Sequence, residues 1–259
     1  MDKLIIGRYI PGHSIIHRMD PRSKLIAMFA FVFIIFLAHD IVGYGILGVF
    51  ALLGVLLSQI KLSYFLKGLR PMIGLISFTV IFQMLFTTGG EVLFQVWILK
   101  ITTYSLQNAF FIFMRFVLII FMSTLLTLTT PPLTLADGIE TGLAPLKKIK
   151  VPVHEIGLML SISLRFIPTL MDDTTMIMNA QKSRGMDFGE GNLIQKVKSV
   201  IPILIPLFVS SFRRADDLAV AMESRGYQGG EGRSKYRVLK WQFCDTLLLI
   251  SLLDRKSVV

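Results

Sequence analysis

The chain has 259 residues, of which 53% are hydrophobic and only 17% charged, and its 27 Lys and Arg outnumber 17 Asp and Glu for a net charge of +10. A soluble domain has about a quarter of its residues charged, so this composition excludes an ordinary water-soluble globule and points to an integral membrane protein. The one cysteine, Cys244, excludes an intrachain disulfide and a cysteine-based zinc site.

The basic excess suits a protein with much of its polar mass against an anionic inner leaflet. Nucleic acid is the other common partner of a basic chain, but no helix-turn-helix, RNP or zinc-finger pattern is present. The opening "MDKLIIGRYIPGHSIIHRMDPRSK" has scattered charges and no apolar core followed by small residues, which is not the build of a cleavable signal peptide. His13 and His17 have a spacing that could place two ligands on one helix face. The helix-breaking Pro11-Gly12 and the missing Glu of His-Glu-x-x-His argue against a metal there.

A membrane-crossing helix needs roughly 20 mostly apolar residues. Four segments qualify: 25–38 (short, but extendable into its flanks), 41–58, 72–87 and 104–128. His39-Asp40 is a tight link that makes the first two a hairpin. Residues 92–99 are apolar but too short to span, and read as an interfacial piece. Basic residues flank alternate connections: Arg18, Arg22 and Lys24 before the first span, then Lys61, Lys67 and Arg70 between the second and third. The opposite connections hold only Lys100, so the N-terminus is expected in the cytoplasm, with the chain returning there near residue 129. Gly43, Gly45, Gly48 and Gly54 offer room for close helix approach in span two. Arg115, inside span four, is either a conduction or coupling residue or an arginine satisfied by backbone or hydroxyl partners.

From residue 130 to 240 the character changes, because this stretch carries 26 of the 44 charged residues. "PPLTLADGIETGLAPLKKIK" reads as a short amphipathic helix whose basic tail, Lys147, Lys148 and Lys150, suits a phospholipid surface. The runs "EIGLMLSISLRFIPTLM" and "SVIPILIPLFVSSF" are interrupted by Arg165 and Pro168, and by Pro202 and Pro206. They are expected to form long helices at the membrane base, greasy at one end and wet at the other.

Each long helix is closed by the same phrase. "NAQKSRGMDF" and "VAMESRGYQG" share Ala-x-x-Ser-Arg-Gly, with Arg184 and Arg225 41 positions apart. Gly185 and Gly226 stand where a left-handed cap ends a helix, and the arginines meet the negative end of the helix dipole. Ala180 with Ser183, and Ala221 with Ser224, keep both tips slim. Capping alone needs only Gly or Asn, so the repeated Ala, Ser and Arg ask for a further reason. An arginine on a slim tip forks two hydrogen bonds onto a carboxylate in a groove, which lysine cannot match. Two such tips predict two similar acidic grooves on a partner with like halves. The carboxylate pairs Asp172-Asp173 and Asp216-Asp217 read as solvated faces or as intramolecular partners for arginine.

The paired Ser-Arg-Gly motifs, the line "RRADDLAVAMESRGY" and the opening "HRMDPRSKL" resemble the transmembrane coupling subunits of energy-coupling factor vitamin transporters, the EcfT family, related to CbiQ of cobalt uptake. The likeness covers essentially the whole chain, and "ADDLAVAMESRGY" is its most specific part. It implies an all-α integral membrane protein of about four to five spans plus long cytoplasmic coupling helices, in the bacterial cytoplasmic membrane. The implied divisions are 1–22 as a cytoplasmic segment, 23–129 as a four-helix membrane region, 130–240 as the coupling region and 241–259 as a hydrophobic tail. Implied partners are two ATP-binding-cassette ATPases of the EcfA and EcfA′ type and a small membrane S component that captures the vitamin and topples in the bilayer.

On this resemblance Arg184 and Arg225 dock one ATPase each, within the tips Ala180, Ser183, Gly185 and Ala221, Ser224, Gly226. Leu158, Leu160, Ile201 and Leu204 would meet the S component. Pro168, Pro202 and Pro206 are plausible pivots. The chain itself lacks a Gly-x-x-x-x-Gly-Lys-Ser/Thr phosphate loop, so ATP is expected on the partners and no cofactor or metal on the chain. The family usually ends with another span. Here "FCDTLLLISLL" is short and contains Asp245, so the last span is expected to be truncated or strongly tilted. The competing reading is a standalone permease or scaffold whose basic helices bind lipid or a regulatory protein.

Overall fold

A computed structural model describes residues 9–38, 40–87, 89, 92–96, 99–149, 151–186, 193–229, 239 and 241–253. The chain falls into two compact units, Met1–Gly138 with Val238–Val259, and Ile139–Arg237. Apart from one small pair of strands, the regular elements among the described residues are helices.

In the first unit a single turn, α1 (Ile15–Arg18), leads into α2 (Pro21–Leu37). Asp20 caps α2 by accepting the Arg22 N–H at 2.9 Å, and Pro21 takes the first helical position, where its missing donor costs nothing. From Asp40 the chain enters α3 (Ile41–Ser58). Then α4 (Leu62–Leu69), a short 3₁₀ turn (Arg70–Met72) and α5 (Ile73–Phe86) follow without a break. The expected third span therefore begins ten residues earlier, at Leu62, than at residue 72.

The apolar stretch 92–99, expected to be interfacial, enters an antiparallel pair of strands, β1 (Val92–Val96) and β2 (Leu99–Thr102). A short apolar run does not declare its period, and this one pairs as a ribbon. The ribbon feeds α6 (Thr103–Thr129), which opens with a reciprocal capping box. Ser105 N–H donates to Thr102 Oγ1 at 3.1 Å, and Thr102 N–H to Ser105 Oγ at 3.0 Å. After α7 (Pro132–Gly142), the helix of the basic-tailed segment, the unit is completed near the C-terminus by α10 (Phe243–Leu253), which packs against α2.

Apolar side chains lie both inside and outside this unit. Phe31 and Ile35 of α2, Leu47 and Ala51 of α3, Phe65 of α4 and Leu125 of α6 form the core. Phe29 and Phe33 of α2, Val42 and Leu56 of α3, and Phe78 of α5 face outward, with Phe33 71% exposed. A helix apolar around its whole circumference, yet only half covered by protein, is built for a lipid solvent. By length and composition Ile41–Ser58, Leu62–Phe86, Thr103–Thr129 and Val153–Ser183 are long and apolar enough to cross a membrane. At 17 residues α2 reaches ~26 Å at 1.5 Å per residue, a little under a ~30 Å hydrocarbon core.

In α3, Gly54 is tight against a neighbour: a Cβ there would stand 3.1 Å from Leu125 of α6. Gly45 and Gly48 have open space beside them. Arg115 is satisfied within the unit. Its guanidinium donates twice to the Tyr44 hydroxyl, at 3.1 and 2.9 Å, and lies 4.9 Å from the centre of the Phe36 ring.

His13 and His17 do not share a helix face, in line with the reading from Pro11-Gly12. The helix α1 starts only at Ile15, so His13 is not on it. His17 uses both ring nitrogens, Nε2–H donating to the Ile10 carbonyl at 3.0 Å and Nδ1 accepting from the Ser14 hydroxyl at 2.6 Å. Burial pushes the pKa of His17 below its usual value and so favours this neutral ring, partly opposed by the hydrogen bond to Ile10.

The second unit is dominated by α8 (Val153–Ser183) and α9 (Leu193–Ser224). Both run through the prolines expected to break them, Pro168 in α8 and Pro202 and Pro206 in α9. A proline removes one backbone donor and crowds one turn, and contacts between the helices offset that cost.

Candidate functional site: two arginine tips on one helix pair

The two long helices pack antiparallel, and the contacts that fix them are spread along their length. Near the end of α8, Gln181 Nε2–H donates to the Pro202 carbonyl at 3.4 Å. In the middle, Asp173 Oδ2 accepts from Arg214 Nη2 at 2.7 Å and from Ser210 Oγ at 3.4 Å. The Arg214 guanidinium also lies 5.9 Å from the Phe166 ring centre. Toward the start of α8, Ile162 and Phe166 share a groove with Leu218 and Met222 of α9. As position numbers rise along α8, those of its partners fall along α9. Asp173 is thus the intramolecular arginine partner anticipated for the carboxylate pairs.

Both Ser-Arg-Gly phrases fold the same way. In the first, Gly185 has φ +85° and its N–H donates to the Lys182 carbonyl at 2.9 Å, while Met186 N–H reaches back to Gln181 at 3.1 Å. In the second, Gly226 has φ +74°, its N–H meets Glu223 at 2.9 Å, and Tyr227 N–H meets Met222 at 3.0 Å. This pair of bonds, six-to-one and five-to-two, is the Schellman ending, and it requires a left-handed residue at the glycine. The serines fold their hydroxyls back onto their own helices, Ser183 to Asn179 at 3.1 Å and Ser224 to Ala221 at 3.0 Å. That leaves the arginines as the reaching groups. Arg184 and Arg225 are exposed, and neither guanidinium has an ion-pair or hydrogen-bond partner among the described residues.

Antiparallel packing puts the tips at opposite ends of the pair. Arg225 lies in a groove with Leu158 to Arg165 of α8, whereas Arg184 ends that helix. At ~1.5 Å per residue the two tips stand roughly 30 Å apart.

A backbone test follows from the cap geometry. A Cβ at Gly185 or Gly226 would touch nothing within 4 Å, so Gly185→Ala and Gly226→Ala meet only the cost of positive φ, about 1 kcal/mol. The expected result is roughly fivefold faster hydrogen exchange at the Met186 or Tyr227 amide, with an asparagine substitution milder because Asn tolerates that conformation. Equal protection in the alanine variants would contradict the strained-cap reading.

The four apolar candidates do not gather into one patch. Leu158 turns into the groove beside Arg225, and Leu160 is 37% exposed near the same end. Ile201 and Leu204 are exposed at the Arg184 end. The longer outward stripe is on α9, where Ile201, Ile205, Phe208 and Phe212 recur at helical spacing and all stand exposed. Leu204 shares this face, three residues on from Ile201, and the same period marks Ile205, Phe208 and Phe212 in "SVIPILIPLFVSSF". Among the described residues no cluster of three or more His, Cys, Asp or Glu could hold a metal.

Lipid-suited helices in one unit and a charged antiparallel pair with two arginine tips in the other define a polytopic helical membrane protein. The chain belongs to the CbiQ family, whose profile, described as "Cobalt transport protein", matches residues 12–236. It is 78% identical over 253 residues to the "Energy-coupling factor transporter transmembrane protein EcfT" of Lactococcus lactis subsp. cremoris, covering 98% of this chain and 95% of that protein. Proteins described in the same words from Streptococcus equi subsp. equi and Bacillus subtilis are 68% and 52% identical, with 96% and 98% of this chain and 93% and 96% of theirs covered. The chain is an energy-coupling component of a membrane transporter.

Proposed function

We propose that this chain is the subunit that transmits ATP-driven motion from two ATP-binding-cassette ATPases to a membrane-embedded S component during vitamin or micronutrient import. Arg184 and Arg225 each enter an acidic groove, one per ATPase. The observation that carries this reading is the pair of like-capped arginine tips, unpartnered among the described residues and held roughly 30 Å apart by one helix pair. ATP binding drives transport only by changing the relative stability of two arrangements of the coupling helices. A helix pair cross-tied by Asp173 and Arg214 passes a displacement from tip to tip better than a loop would. The outward stripe of α9, with Leu160 of α8, supplies apolar surface for the S component. The N-terminus and the helix pair lie on the cytoplasmic side, following the basic residues before α2 and between α3 and α5. Vitamin choice belongs to the S component.

The test is to extract the tagged chain from its native membrane and identify what comes with it by mass spectrometry. Two ATPases and at least one small membrane protein are the expected companions. A chain that emerges without any ATPase would instead be a standalone permease or scaffold.

A further inference from the structure

The Arg225 tip does not stand on open helix. It forms one wall of a groove of about 530 Å³ whose other wall is the first half of α8, lined by Leu158, Ser161, Ile162 and Arg165. Arg165 interrupts the run "SISLRFIP", far from the helix end where a cation serves capping. Like Arg225 it is exposed, with no ion-pair or hydrogen-bond partner among the described residues. The nearby interhelical carboxylate, Asp173, is already held by Arg214. Among the described residues no Asp or Glu lines the groove.

We propose that Arg165 and Arg225 together form a two-arginine cleft that takes an acidic peptide segment of the partner docked at this tip. The inference rests on the ATPase-docking reading and adds a second residue, on the other helix, to the site. Two arginines that line one groove repel each other until an anion enters, and each guanidinium offers a planar fork suited to a carboxylate. The helix end does not help: α9 terminates here, and its dipole presents negative charge to the cleft. Attraction for an acidic segment therefore depends on the two side chains, and Arg225 alone must overcome that opposing field. Because the walls belong to different helices, the occupant also clamps α8 to the end of α9. Displacement of the partner then reaches both helices at once.

The experiment uses the complete complex, pulled from membranes through the tagged chain, with ATPase retention measured against increasing salt. Arg165→Glu is expected to lower retention at least tenfold, and Arg165→Ala less, with a shallower salt dependence than the unaltered chain. The double variant Arg165→Ala/Arg225→Ala should lose less than the two single losses combined, because both arginines hold one segment. Arg165→Gln, which keeps most of the stem, separates lost charge from lost packing, and equal monodispersity of all variants shows that the helix pair still folds. If Arg225→Glu releases an ATPase but Arg165→Glu does not, the cleft is wrong and the docking reading stands. If neither releases it, both fall. If Arg165→Glu leaves retention intact but weakens flotation with phosphatidylglycerol vesicles, the groove takes a lipid phosphate and the peptide proposal is overturned.

Discussion

Arg184→Glu and Arg225→Glu are each expected to abolish vitamin uptake while leaving the amount of chain in the membrane unchanged. Both side chains are exposed and unpaired among the described residues, so the free chain loses only their interaction with the helix dipole, about 0.3–1 kcal/mol. The docked state loses a great deal. Removing one partner of a desolvated, forked charge pair costs about 2–5 kcal/mol, and reversal adds repulsion between two carboxylates. At about 1.4 kcal/mol per factor of ten, each variant is expected to bind the proposed ATPase partner at least ~30-fold more weakly. Lysine at either position should be intermediate, since it keeps the charge and loses the fork. Uptake of labelled vitamin by cells lacking their own copy of the chain, with membrane abundance followed by immunoblot, measures both halves of the prediction. Normal uptake in both single variants would remove these arginines from the coupling path.

The features legible in advance were those with local causes. Membrane spans declare themselves by composition, and α3 occupies residues 41–58 as read, because nothing beyond the bilayer is needed to choose them. The two caps were equally legible, since only glycine meets positive φ without steric cost and the requirement sits within six residues. Features with distant causes were not. Pro168, Pro202 and Pro206 look like helix breaks one residue at a time, yet α8 and α9 continue through them because each helix is held along its length by the other. Leu158 and Leu160 look interchangeable in the chain, and helical phase sends the first into the Arg225 groove and leaves the second exposed. Arg165 is an interruption until the antiparallel packing brings the end of α9 beside it. The largest omission concerns Asp245, which seemed only to spoil an apolar segment. Its acceptor role depends on residues more than 200 positions away.

Replacing Asp245 by alanine is expected to release α10 from the membrane unit and to be among the most destabilising single changes in the chain. Its side chain is fully buried and receives three donors: the Asp20 N–H at 3.0 Å, the Ser23 hydroxyl at 2.5 Å and the Gln242 N–H at 2.7 Å. The first two belong to the entrance of α2, so one carboxylate ties α10 to the start of α2. Asp20, itself buried, caps α2 through its side chain while giving its backbone N–H to Asp245. Lys24, a turn further on, donates to the Thr129 carbonyl at 3.3 Å and to Thr130 Oγ1 at 3.2 Å, so the same turn also holds the end of α6. Alanine would strand those donors without water to replace the lost acceptor. The expected cost is about 3–5 kcal/mol, and the unfolding temperature should fall on the order of 10 °C in detergent. Asparagine should cost less, about 1–3 kcal/mol, because it keeps one acceptor oxygen and turns a donor toward groups that already donate. Ser23→Ala, losing one of the three bonds, should be milder still. Thermal unfolding of the purified variants ranks the series, and limited proteolysis reports whether the segment around Phe243–Leu253 has come free. An unchanged unfolding temperature and cleavage pattern in Asp245→Ala would mean that apolar packing alone holds α10 against α2.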